Sequence, residues 1–166
     1  MKLRNFLMAL AAALLAMSAN ASGNHAGGHE ADEIGKPGVA SKVSRTVKVD
    51  MSDSMRFSLS NIAVQQGETV RFIVKNSGKV KHEMVLGTEK ELKEHAELMK
   101  KHPEMEHADD NMITVAPGKT GETIWQFTKA GKVDFACLQP GHFEAGMKGV
   151  VTVANGKKAA RADHKH

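Results

Sequence analysis

At 166 residues, with 41% apolar and 25% charged side chains, the chain has the length for one globular domain plus its ends. Its formal charge of +4 falls to about +2 once the first 21 residues are set aside, and the basic residues are scattered outside a short tail, a bias too weak to argue for a nucleic-acid partner. Ten methionines and nine histidines stand beside six Phe, one Trp and no Tyr, a large supply of soft sulfur and imidazole.

The chain opens with Lys2 and Arg4, followed by an apolar run from Phe6 to Met17. Ala19-Asn20-Ala21 then supplies the small residues of a cleavage position. Residues 1–21 therefore read as a secretory signal peptide, with a mature chain beginning at Ser22. The run is too short for a membrane span, and no other stretch approaches that length, so no span is expected in the mature protein. Export to the periplasm is the expectation. Residues 22–42 are rich in Gly, Ala and Ser, carry His25, His29 and Pro37, and predict a flexible N-terminal segment.

From Val43 the pattern changes to alternation. Val47, Val49 and Met51 fall on one strand face, and Phe57 and Leu59 begin another. Val70, Phe72 and Val74 alternate with Arg71 and Lys75, and Thr123, Trp125 and Phe127 alternate with polar neighbours. Val133, Phe135 and Cys137 share a face, and Val151 and Val153 close the domain. Turn signals at Gln66-Gly67, Asn76-Ser77-Gly78, Pro117-Gly118 and Ala130-Gly131 separate these runs. Seven or eight short strands over about 110 residues predict an all-β sandwich spanning 43–154. One helix interrupts it. Residues 88–101 (TEKELKEHAELMKK) hold strong helix formers, a capping box at Thr88 and Glu91, and a stop at Pro103. Residues 155–166 are Lys- and Ala-rich and predict a basic, disordered tail.

Export makes the single cysteine informative. Oxidising compartments favour paired cysteines, and Cys137 has no partner within the chain. It opens the stretch Cys137-Leu-Gln-Pro-Gly-His142-Phe-Glu-Ala-Gly-Met147, which places thiolate, imidazole and thioether on one loop after a strand. His82, at the start of a distant strand, supplies a second imidazole. Two His and one Cys, with a weak axial Met, make the blue-copper electron-transfer set, so one type 1 copper ion is expected at His82, Cys137, His142 and Met147. A stiff β scaffold would change little between Cu(I) and Cu(II).

This stretch resembles the cupredoxin family, including plastocyanin, azurin, auracyanin and rusticyanin, over about residues 43–154. The Cys-x-x-Pro-Gly-His part is similar to azurin and auracyanin, and the His-to-Met spacing to auracyanin and rusticyanin. The resemblance implies a Greek-key β-sandwich with His82 and His142 as imidazole ligands, Cys137 as thiolate and Met147 as axial ligand. It also implies an electron port at the edge of His142, flanked by Phe143, where a redox partner protein would dock on a monomer. Many family members carry Asn after the first His; here that position is Glu83. The helix, the leader and the His-bearing N-terminus resemble periplasmic cupredoxins linked to copper tolerance.

Two functions follow. One is one-electron transfer by Cu(I)/Cu(II) cycling; the other is copper tolerance, by sequestering or oxidising periplasmic Cu(I). Neither makes the chain an enzyme. The helix adds a further candidate. His95, Met99 and His102 share one face, with Met105, His107 and Met112 following, and could bind additional copper. The alternative is that Leu92, Ala96 and Met99 pack on the sandwich while the histidines face water. Glu83, Asp134 and Glu144 are acidic groups with no substrate pocket evident.

Overall fold

Alternating burial is the rule that builds this molecule. The computed structural model describes residues 31–105 and 108–156, so the expected leader, His25 and His29, His107, and the residues from 157 lie outside the described residues. A single helical turn, α1 (Ala31–Ile34), leads into ten strands and one longer helix. The strands are β1 (Lys36–Pro37), β2 (Arg45–Ser52), β3 (Arg56–Phe57), β4 (Asn61–Gln65), β5 (Thr69–Asn76), β6 (His82–Gly87), β7 (Met112–Val115), β8 (Thr120–Gln126), β9 (Gly131–Ala136) and β10 (Lys148–Ala154). The helix, α2 (Glu89–Lys101), lies between β6 and β7.

The strands form two five-stranded sheets, in the orders β1-β8-β5-β2-β3 and β4-β10-β9-β6-β7. Between them lies one core, to which Val49, Met51, Phe72, Val74, Trp125, Val133, Phe135 and Val151 contribute. The aromatics interlock edge to face, Phe57 on Phe135 with ring centroids 5.0 Å apart. This is the expected β-sandwich with one inserted helix. Leu59, expected in a strand, is instead exposed beyond the end of β3.

The sandwich begins earlier than the alternation suggests. Lys36 and Pro37 pair with Gln126 and Trp125 at a sheet edge, and the Trp125 indole N–H donates to the Ile34 carbonyl at 2.8 Å. Ile34 itself is buried in the core. Proline at an edge strand is tolerated because its missing N–H faces outward. A two-residue strand has no period to read, which is why the sequence pattern over 22–42 predicts a flexible segment.

α2 forms as its sequence dictates. The Thr88 hydroxyl accepts from the Glu91 N–H, and the Glu91 carboxylate accepts from the Thr88 N–H. Glu89 and Glu91 sit in the first turn and Lys100 and Lys101 in the last, each sign matched to the helix dipole. Leu92, Ala96 and Met99 form the buried stripe. Leu92 and Ala96, with Val85, Met112, Ala136 and Leu138, build a second small core on the outer face of the β6–β9 sheet. That is why all six residues of β6 are buried. Replacing the cap, Thr88→Ala, is expected to destabilise the fold by about 1 kcal/mol in chemical denaturation.

Candidate metal centre

Sheet register assembles the site. β6 runs antiparallel to β9 with Val85 opposite Ala136, so His82 and Cys137 lie toward the same end. β10 runs antiparallel to β9 with Lys148 opposite Ala136, which brings Met147 beside Cys137. The Cys137 N–H donates to the Met147 carbonyl, and the Met147 N–H donates to the His142 carbonyl, both at 3.0 Å. The loop between β9 and β10 then turns on itself at Gly141, whose φ of +84° is a left-handed conformation that favours glycine. Further backbone bonds from His142 to Gln139 and from Ala145 to Gly141 stiffen it. From β3, the Arg56 guanidinium donates to the Ala145 carbonyl at 2.8 Å.

The ligand atoms of His82, Cys137 and His142 all lie within 4.8 Å of one another. The Cys137 sulfur is 3.9 Å from His82 Nδ1 and 3.2 Å from His142 Nδ1. The two imidazole rings stand 4.9 Å apart. His82, Cys137 and Met147 are buried, while His142 is half-buried and reaches the surface. Cys137 and Met147 belong to the same apolar cluster.

Burial pushes the Cys137 thiol up to about 12, outweighing the N–H donors of Glu83 and Gln139, which favour the thiolate. Without a cation, this thiol keeps its proton at neutral pH. Burial, and then the neighbouring His82, hold His142 below the usual histidine range, so its imidazole is neutral and ready to ligate. A thiol that ionises only for a cation, beside two Nδ1 atoms, is a donor set that fits copper.

Two acidic residues hold the site from behind. Asp53 lies in the β2–β3 turn, and its carboxylate accepts from the Lys79 N–H at 2.8 Å and from His82 Nε2 at 3.1 Å. The backbone N–H of Lys79 is the main cause holding Asp53 below the usual carboxylate range, with His82 adding to it. The carboxylate fixes the His82 tautomer, with Nε2–H donating and Nδ1 free to ligate. Gly78 permits this, because a Cβ there would stand 2.0 Å from Asp53 Oδ1. Removing the carboxylate by Asp53→Ala is expected to weaken copper binding about 10–100-fold in a competition titration. Nothing in the sequence marked Asp53; it lies 29 residues from its histidine.

Glu83 is the second. Its carboxylate accepts from the Leu138 N–H at 3.0 Å, the Gln139 side-chain amide at 2.9 Å and the Thr114 hydroxyl at 3.4 Å. Its own N–H donates to the Cys137 sulfur at 3.4 Å. Glu83 therefore ties β6, β7 and the Cys137 loop together. Of the other acidic candidates, Asp134 pairs with Lys132 and Glu144 with Lys100, the latter joining the loop to α2.

The helical set differs in burial from one member to the next. Met99 is buried with Leu92 and Ala96, His95 is half-buried, and His102 is exposed at the C-cap. Among the described residues, His82, Cys137 and His142 are the group of His, Cys, Asp or Glu ligands close enough to share an ion.

Comparison with known proteins agrees with this geometry. Residues 43–154 match the copper binding proteins of the plastocyanin/azurin family. The chain belongs to that family. Copper is its cofactor. Among curated relatives of this cupredoxin is the copper-resistant cuproprotein CopI of Rubrivivax gelatinosus, 52% identical over 151 residues, or 86% of this chain and 92% of that one. The protein of that name from Vibrio cholerae is 38% identical over 116 residues, covering 69% of each chain. Among solved structures, the dithionite-reduced auracyanin of Roseiflexus castenholzii superposes with a TM-score of 0.56 at 24% identity, covering 68% of this chain and 98% of that one. That likeness shows a shared cupredoxin fold.

Proposed function

We propose that this protein is an exported copper-tolerance cupredoxin that withdraws Cu(I) from the periplasm. In this reading the ligands are His82 Nδ1, Cys137 Sγ and His142 Nδ1, with Met147 as the weak axial thioether. The observation that carries it is the convergence of a buried thiol and two imidazoles in a closed apolar end of the sandwich, with His142 leading to the surface. Soft sulfur ligands select Cu(I), and burial keeps it from water and oxidants. The names of the relatives, copper-resistant cuproproteins, support the same role. The leader-like residues 1–21 support export.

When bound, copper supplies one-electron exchange between Cu(I) and Cu(II). The chain supplies everything else. Asp53 orients His82, Glu83 anchors the Cys137 loop, and the backbone bonds joining Cys137, His142 and Met147 hold three ligands in one frame. The protein acts as a binder and not as an enzyme.

The test is growth of a deletion strain on copper. The native gene is expected to restore tolerance, and a Cys137→Ala gene to fail. Equal rescue by both would overturn the proposal.

One feature favours a second reading, electron transfer. His142 is half-buried beside Phe143, whose ring carries the Lys148 ammonium 4.6 Å from its centroid. A redox partner docking there would reach the metal through a single imidazole. Fast electron exchange by the copper-loaded protein, in a deletion strain that tolerates copper normally, would establish this reading in place of the first.

A further inference from the structure

A second concentration of sulfur lies behind the triad. Met99 of α2, Met105 just beyond the helix and Met112 at the start of β7 line one cavity of about 180 Å³. Met99 and Met112 are buried and Met105 is 39% exposed, so the three lining residues run from the interior to the surface. Glu83 and Gln139 form the wall toward the triad, and Lys81 stands at the exposed rim.

Methionine is the residue that most readily closes a gap, because its unbranched chain can follow an irregular wall. Met99 and Met112 also pack beneath α2, but all three side chains line a cavity that they leave open, so packing does not account for all of their surface. Thioethers are soft, neutral donors that suit Cu(I) and bind hard or strongly hydrated divalent ions poorly. The Glu83 carboxylate supplies the negative charge a bound cation needs nearby, and its bonds to Leu138 and Gln139 hold it in place. Lys81 at the rim opposes a divalent ion twice as strongly as a monovalent one.

We propose that this cavity is a second copper site, selective for Cu(I), with the Met99, Met105 and Met112 thioethers as its ligands. It stands independently of the triad. Because the Glu83 N–H donates to the Cys137 sulfur, the site lies one residue behind the first. A Cu(I) ion held there is stored next to the triad.

The test is an anaerobic titration of the full chain with Cu(I) against a coloured Cu(I) chelator. The triple variant Met99→Leu, Met105→Leu, Met112→Leu keeps side-chain volume nearly constant. It is expected to bind one Cu(I) fewer than the native chain while keeping the Cu(II) charge-transfer band of the triad. An unchanged count overturns the proposal. If the triple variant also loses that band, methyl-labelled methionine NMR of the Cys137→Ser chain decides. The three methyl resonances are expected to shift together on adding Cu(I), and their failure to move overturns the proposal. A faulty triad assignment would appear in Cys137→Ser and would leave the methionine result unaffected.

Discussion

A Cys137→Ser chain loaded with Cu(II) is expected to fold and to lose its intense visible absorption completely. The band is a thiolate-to-copper charge transfer, and Cys137 is the only cysteine in the sequence. Serine is smaller than cysteine by little, and its oxygen still faces the Glu83 N–H, so the core suffers only a slight underpacking. What changes is chemistry. A serine hydroxyl stays protonated beside copper and offers a hard donor where a soft thiolate stood. Visible absorption together with a denaturation curve checks both halves. A band that survives the substitution would remove Cys137 from the site, and with it the account of why a lone thiol is kept at the end of β9.

Glu83→Ala is expected to produce the largest loss of stability among changes near the centre. The Leu138 N–H is buried and would lose its acceptor, at about 1–3 kcal/mol for one orphaned group. The cavity left by the side chain adds to that. Glu83→Gln should recover part of the loss, because an amide oxygen still accepts from Leu138 while its NH₂ opposes the Gln139 amide. Equilibrium denaturation of the copper-free variants gives the order native, Gln, Ala. The same substitutions remove a negative charge beside Cys137, so the reduction potential of the copper-loaded protein should rise in both. Stability falling in Ala but not in Gln, with an unmoved potential, would mean that only the packing of Glu83 matters.

The strand pattern and the metal loop were legible because both are local. Val70, Phe72 and Val74 alternate within one strand, and all three are buried as a period of two requires. Cys137, His142 and Met147 lie within eleven residues, and their chemistry points to one metal without knowledge of the fold. Thr88 and Glu91 announced their own helix start, and they make the two bonds of the capping box. β1 was not legible, because two residues at a sheet edge have no periodicity. β6 was legible only in part, because burial on both faces erases alternation.

The sequence by itself therefore pointed to the candidate donors, and it determined the β-rich fold and its one long helix, since each rests on side-chain chemistry or on periods of a few residues. Tertiary structure alone decided which groups stand behind the donors. Asp53 reaches His82 across 29 residues, and Glu83 reaches Leu138 across 55. It also decided that Met99, Met105 and Met112 line one cavity, whereas His95 and His102 are not among its lining residues. Such contacts are set by sheet register and by the seating of α2 on β6 and β9, and neither leaves a local signature in the chain.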